Sequence, residues 1–199
     1  MLGILISSAR HALAAGLIVC AGMLALWLAG SRIDGLGLVS FLVRWLHVLA
    51  GIVWVGMIWF VNFVQLAAVE TADEGGRATI AREIAPRVAT IFRAASHLTL
   101  ATGIVLLLTT GYLLDRWVFA SAVYIPPVKS LMLWGGSLAG LVMWGLVHLV
   151  IWPALRLLAS DADTSLKARA RARVVTCARI NLLLAVPVTF VMVAAAHLY

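Results

Sequence analysis

Charge is scarce in this chain. Eight acidic residues and fifteen lysines and arginines stand among 199, so charged side chains make up 12% of the sequence. Soluble domains carry about twice that share, which excludes an ordinary globular domain. Nothing alternates with a period of two, so the strands of a transmembrane barrel are excluded too, and helices must satisfy the backbone. Cysteine is limited to Cys20 and Cys177, far apart in the sequence, and no CxxCH occurs. That pattern excludes a disulfide scaffold and a covalently attached c-type haem, and the two thiols read as small buried hydrophobes. Also missing are a Ser-His-Asp constellation, a phosphate loop, paired catalytic carboxylates and zinc-ligand spacing. The few acidic residues fall in loops or at helix ends, which speaks against a transporter that couples protons through a buried carboxylate.

What the chain has is apolar length. It is 64% hydrophobic, with a mean hydropathy of +1.07. A bilayer core needs about 20 apolar residues per helix, and five segments reach that length, at about 12–30, 38–68, 88–114, 128–158 and 178–198. The predicted fold class is all-α, an integral membrane bundle of five transmembrane helices forming a single domain over 1–199. The first segment follows Arg10 in the manner of a signal peptide, but its apolar run is long for one and a cleavage pattern near Gly30 is weak, so it counts as a helix.

The net charge of +7 invites a nucleic-acid reading, which the placement of the charges opposes. With the N-terminus inside, Arg10, Arg77, Arg82, Arg87, Arg93, Arg156, Lys167, Arg169, Arg171, Arg173 and Arg179 share one side. Arg32, Arg44, Arg116 and Lys129 take the other. The bias predicts a cytoplasmic N-terminus and a periplasmic C-terminus, and no nucleic-acid partner. The run KARARAR reads as a topology signal against anionic lipid.

The connections read as short. SRIDGLG (31–37) and DRWVFASAVYIPP (115–127) are expected outside. ETADEGGRATIAREIAP (70–86), with at most one amphipathic turn, and SDADTSLKARARAR (160–173) are expected inside. In the latter, Ser160 or Asp161 would cap a helical second half. Tryptophans suit interfacial belts: Trp27, Trp45, Trp117 and Trp134 outside, Trp59 and Trp152 inside. Gly136 and Gly140 have the small-xxx-small spacing that lets helices approach. Pro187 should kink the last helix.

Imidazoles inside hydrocarbon need partners, and ligating a haem iron supplies one. His47 follows Arg44 by three residues, about 4.5 Å deeper at 1.5 Å per residue, and His197 near the C-terminus reaches a similar level. Gly51 and Ala194, one turn from these histidines, would leave space for a flat ring. Arg44, on the face of His47, could pair with a propionate. A second depth match joins His97 and His148, roughly 10 Å in from the other side. Arg93 and Gly145 lie beside them, and two stacked bis-histidine haems would carry electrons across the membrane. For each pair the alternative is a histidine bonded to headgroups, water, or a hydroxyl or carbonyl of a neighbouring helix. His11 reads as interfacial only.

Asn62 and Gln65 end the second segment where Arg179 and Asn181 open the fifth. Such polar side chains either hold helices together or line a pocket for a quinone or small substrate.

The stretches RWLHVLAGIVWVGMIWFVNFVQ, FRAA…TLATG, VIWP and RINLLLAVPVTFVMVAAAH keep the order found in one known family. From about Leu38 to Tyr199 the chain resembles the membrane domain of bacterial cytochrome-c-type urate oxidases. LHVLAGIVWVG alone also resembles the copper-resistance D proteins and the membrane protoporphyrinogen oxidases that bind haem b. The resemblance implies a multi-helix domain of the bacterial inner membrane. His47 and His197 match family histidines, whereas His97 and His148 fall where many relatives carry other residues. The end at Tyr199, without a cytochrome c domain, resembles the short standalone members, whose substrate need not be urate.

Three readings follow. The first is a haem-b-binding electron-transfer protein, with one haem on His47 and His197 and a second if His97 and His148 also ligate. It would pass electrons between a quinol or small reductant and a periplasmic acceptor such as cytochrome c, as an oxidoreductase or part of one. The second is a haem-free accessory subunit of a larger membrane complex. The third is an intact oxidase acting on urate or a purine near Asn62, Gln65, Arg179 and Asn181.

Overall fold

The computed structural model describes residues 7–112 and 127–197. They form five helices long and apolar enough to cross a membrane: α1 (Ala9–Gly30), α2 (Gly35–Thr71), α3 (Glu74–Thr109), α4 (Pro127–Leu158) and α5 (Thr164–His197). Contacts divide the chain into two compact units, Met1–Phe41 and Leu42–Tyr199, with the boundary inside α2.

In the first unit, Ser8 caps α1 by accepting from the His11 amide, and α1 buries none of its residues. His11 is exposed, and its Nδ1 lies 3.0 Å from the hydroxyls of Ser7 and Ser8. Cys20 is exposed rather than buried, and Cys177 of the second unit is buried; both thiols are free.

The second unit is held by one apolar cluster drawn from four helices. Trp54 and Ile58 come from α2, Phe92 and Ala95 from α3, Met143 and Val147 from α4, and Ala185 from α5. On α2 the buried positions Ala50, Trp54, Ile58 and Asn62 recur every fourth residue, so one stripe meets the neighbouring helices. The opposite faces are apolar as well: Leu131, Leu149, Leu183 and Phe190 are at least 68% exposed. A soluble unit would not leave such faces bare, whereas lipid covers them without cost.

Helix ends depart from expectation in both directions. The segment expected as a loop over 70–86 is almost entirely helical, interrupted only at Ala72–Asp73. There Asp73 turns extended, and its carboxylate accepts from the Gly76 amide at 2.7 Å to start α3. The run 160–173, expected to be helical in its second half, is helix from Thr164 and continues without a break into the last span. Neither Ser160 nor Asp161 starts it: the carbonyl of Asp163 accepts the Lys167 amide, and Ser160 donates back to Leu157 of α4. Alternating Ala and Arg are strong helix formers, and their charge does not end a helix. In the other direction α3 stops at Thr109, short of the expected 114. Gly111 there takes φ 77, the left-handed turn that closes a helix. The outer loop expected over 115–127, with Arg116 and Trp117, lies outside the described residues except for Pro127, which opens α4.

Three wide, π-helical turns interrupt the spans, at Val61–Gln65 in α2, Ile80–Ile84 in α3 and Leu146–Ile151 in α4. Two precede a proline, Pro86 and Pro153. Widening the turn draws the carbonyl four residues back away from the pyrrolidine ring. The turn in α2 has no proline. There Asn62 donates from its Nδ2 to the Ile58 carbonyl of its own helix at 2.9 Å and to the Ala178 carbonyl of α5 at 3.1 Å. A side chain set into the backbone ladder is a recognised cause of such distortion. The close approach of α4 to α5 rests on Gly136, where a Cβ would meet Met192 at 2.8 Å and Val191 at 2.9 Å; at Gly140 it would meet nothing within 4 Å. Of the predicted small-residue pair, only Gly136 is a contact.

Candidate functional site

His47 projects from α2 onto α3. Its Nδ1 lies 3.0 Å from the Thr99 carbonyl and 3.0 Å from the Thr102 hydroxyl oxygen. A carbonyl can only accept, so Nδ1 carries the proton and donates. The Thr102 hydroxyl spends its own proton on the Leu98 carbonyl at 2.6 Å, which leaves its oxygen to receive from the imidazole. The Nε2 lone pair is thereby kept for another group. Gly103 makes the seat: a Cβ there would stand 3.1 Å from the His47 Cε1. Around it Gly51 opens space, since a Cβ at that position would meet nothing within 4 Å. Arg44 is exposed.

His197 shares the tautomer and differs in setting. Its Nδ1 donates to the Val193 carbonyl of α5 at 3.0 Å, and the side chain is exposed. Ala194, expected to leave room for a ring, is itself packed at 4% exposure. Among the described residues no hydrogen bond or ring contact joins His47 to His197.

His97 and His148, matched in the sequence by depth alone, are in contact. Their ring centroids are 4.1 Å apart at 70°, with the Trp144 ring 4.7 Å from His148. His97 donates from Nδ1 to the Arg93 carbonyl at 2.8 Å. Ser96 donates to the same carbonyl at 2.9 Å, so the His148 Nε2, 3.0 Å from the Ser96 hydroxyl, donates to it. Two imidazoles on opposite faces of one iron would need centroids roughly 6 Å apart, given metal–nitrogen bonds of about 2 Å. These rings touch with no gap for a macrocycle, and the Nε2 of His148 is engaged by Ser96. As arranged, this pair does not fit a bis-histidine haem.

Beyond Arg93, towards the Gln65 end of α2, the four helices of the second unit enclose a cavity of about 90 Å³. Asn62 and Gln65 of α2, Arg93 of α3, Trp152 of α4 and Asn181 of α5 line it, within walls otherwise apolar. The polar atoms here are short of partners. Asn62 Oδ1, Gln65 Oε1, Arg93 Nε and both Oδ1 and Nδ2 of Asn181 are buried without a hydrogen bond. Asn181 is 1% exposed. Elsewhere among the described residues only the indole nitrogens of Trp54 and Trp144 share that condition. The Arg93 guanidinium stacks 3.9 Å over the Trp152 ring, which Arg156 also approaches at 5.4 Å. Trp152 is thus part of the cavity wall rather than solely a belt residue.

Three of the four polar residues expected at this level therefore meet in one cavity. The fourth does not: Arg179 is exposed. Two positions from Asn181 is about 200° around a helix, which turns it to the far side. Arg93 takes that place. Ala89, four residues before it on the same helix face, also lines the cavity, and that small residue was the signal of a face that can pack closely.

No group of three or more His, Cys, Asp or Glu side chains converges on a metal-binding geometry among the described residues. The one ion pair described, Arg87 to Glu83 at 3.2 Å, is exposed. Comparison with protein-family models, curated proteins and solved structures finds no match for this chain.

Proposed function

We propose that this chain is a haem-b electron-transfer protein of the bacterial inner membrane, with its N-terminus in the cytoplasm and its C-terminus in the periplasm. Its ligands are His47 and His197, and it carries electrons between a quinol or small reductant and a periplasmic acceptor such as cytochrome c. One observation carries this reading: α3 holds the His47 Nδ1–H on a backbone carbonyl and leaves the Nε2 lone pair uncommitted. Metal-ligating imidazoles are held in this way, because the bonded N–H fixes both tautomer and ring orientation. His197 has the same tautomer on its own helix. The charge bias and the resemblance to the urate oxidase membrane domain support the orientation and the choice of group. When bound, a haem would supply one-electron transfer; His47 and His197 would hold it, and Arg44 would pair with a propionate. The contact between His97 and His148 favours one haem over two. Purified protein should show Soret and α bands and about one haem per chain by pyridine haemochrome. Protein without those bands, or with bands unchanged in both His47→Ala and His197→Ala, overturns the proposal.

A haem-free role as a subunit of a larger membrane complex draws on a different observation, that α1 buries none of its residues. It predicts co-purification with a stable complex and no iron in this chain.

A further inference from the structure

We propose that the cavity between Asn62 and Asn181 binds the ring of a hydroquinone, and prefers that reduced form over the quinone. This deepens the electron-transfer reading by naming its reductant, and it rests on that reading only for what happens to the electrons.

The unmet hydrogen-bonding groups define the ligand. Asn62 cannot be turned, because its Nδ2 already donates to two carbonyls on two helices. Its Oδ1 must therefore face the cavity as an acceptor and nothing else. Gln65 adds a second buried acceptor. The Arg93 Nε can only donate, and Asn181 offers one atom of each kind. A lipid tail would leave all five atoms unmet. An anion would answer the donors and repel the carbonyl oxygens, and a cation would do the reverse. The group that fits is neutral and both gives and takes a hydrogen bond at the same atom, as a phenolic hydroxyl does. Its O–H donates to Asn62 or Gln65 while its oxygen accepts from Arg93 or Asn181. A quinone carbonyl in that position would set oxygen against oxygen at Asn62.

Size and route agree with a ring that arrives from lipid. The cavity lies between membrane-spanning helices and its walls are mainly aliphatic and aromatic. Its volume of about 90 Å³ is more than a single water needs and less than the roughly 150 Å³ that admits benzene. It takes the hydroxyl-bearing edge of a ring, whose body remains in the partly exposed mouth beside Leu66, Val88 and Leu155. A ring edge buried against Phe92 and Trp152 also gains aromatic contact.

The test is anaerobic equilibrium dialysis of the full chain in lipid nanodiscs. The probe is tail-less dimethoxy-methyl-benzoquinone or its dithionite-reduced hydroquinone. Saturable binding of about one hydroquinone per chain is expected, at least tenfold tighter than the quinone, the scale set by one unanswered buried acceptor. Gln65→Leu, which breaks no described hydrogen bond, should weaken hydroquinone binding several-fold, and Asn62→Leu should narrow the preference between forms. Leu131→Ala, on an exposed face and not part of the cavity wall, should leave both affinities as they are. Binding no greater than in empty nanodiscs, quinone bound as tightly as hydroquinone, or affinities indifferent to Gln65→Leu and Asn62→Leu would overturn the proposal. Saturable hydroquinone binding in a chain that holds no haem would leave the cavity assignment standing and remove the electron-transfer reading. A haem-loaded chain that binds no hydroquinone would do the opposite.

Discussion

At one end of the buried stripe of α2 the polar atoms are matched, and at the other they are not. His47 gives its Nδ1 proton to a carbonyl and a hydroxyl of α3, and Thr102 passes its own proton on to Leu98. Fifteen residues along, roughly 22 Å at 1.5 Å per residue, Asn62, Gln65, Arg93 and Asn181 bring buried atoms into a cavity and leave five of them unanswered. A satisfied buried group is fixed in place, and in a low dielectric it stays there. An unsatisfied one costs about 1–3 kcal/mol, which a folded chain tolerates where something else completes it. The same helix thus holds a satisfied imidazole at one end and unsatisfied polar atoms at the other.

The comparison breaks most completely if the matched end holds nothing. His47→Ala should lower the haem-to-protein ratio by well over tenfold, because loss even of a ligand's hydrogen-bonding neighbour costs about 10–100-fold in metal affinity. His97→Ala should leave the ratio unchanged, since that ring rests on His148 and Trp144. The measurement is pyridine haemochrome on protein whose helicity is checked by circular dichroism.

Next in size is a control on packing alone. Gly136→Ala should destabilise by about 1–3 kcal/mol, because Val191 is stiff and cannot yield to a Cβ 2.9 Å away. Gly140→Ala, with nothing within 4 Å, should stabilise by up to about 1 kcal/mol through helix propensity. Unfolding in mixed micelles reads both, and equal effects would deny the close contact of α4 with α5.

The unmatched end gives an effect of similar size and opposite sign. Asn181→Leu removes two unanswered buried atoms and should stabilise the empty protein by about 1–2 kcal/mol. Asn62→Leu removes the bond to Ala178 on α5 and should destabilise by about 0.6–1.7 kcal/mol, the range for hydrogen bonds between membrane helices. If both variants lose stability, the cavity is braced by its polar groups rather than waiting for a ligand.

How much of this was legible in the sequence follows from which property carried each feature. The five helices were, because apolar runs of about 20 residues have no other stable form in lipid. The start of α5 at Thr164 was not. The expectation gave 160–173 a helical second half and began the membrane span separately at 178, whereas one helix runs unbroken from Thr164, because charge governs depth in the membrane and not helicity. Asn62, Gln65 and Asn181 were legible as one level, since depth follows from residue count. The substitution of Arg93 for Arg179 was not, because it depends on rotation about the helix axis, which hydropathy averages away. The contact of His97 with His148 was anticipated by depth. That the rings meet without a gap needed the tilt of α3 against α4. Which nitrogen of His47 is free could not be read at all, since it is decided by a carbonyl 52 residues away.

The smallest effect bears on what fixes that nitrogen. Thr102→Val keeps the shape of the side chain and removes the hydroxyl, one of the two acceptors of the His47 Nδ1–H. The Thr99 carbonyl at 3.0 Å remains, so the ring should keep its orientation and haem occupancy should be unchanged. The loss in unfolding free energy should be about 0.6 kcal/mol, the mean for one such bond in a membrane protein. Thr102 also donates to the Leu98 carbonyl, which retains its helical partner at Thr102 N, so no buried acceptor is orphaned. A collapse of haem content in Thr102→Val would assign the orienting role to the hydroxyl. The matched end would then depend on a side chain rather than on the backbone, as the unmatched end depends on its side chains, and the contrast between them would be one of degree.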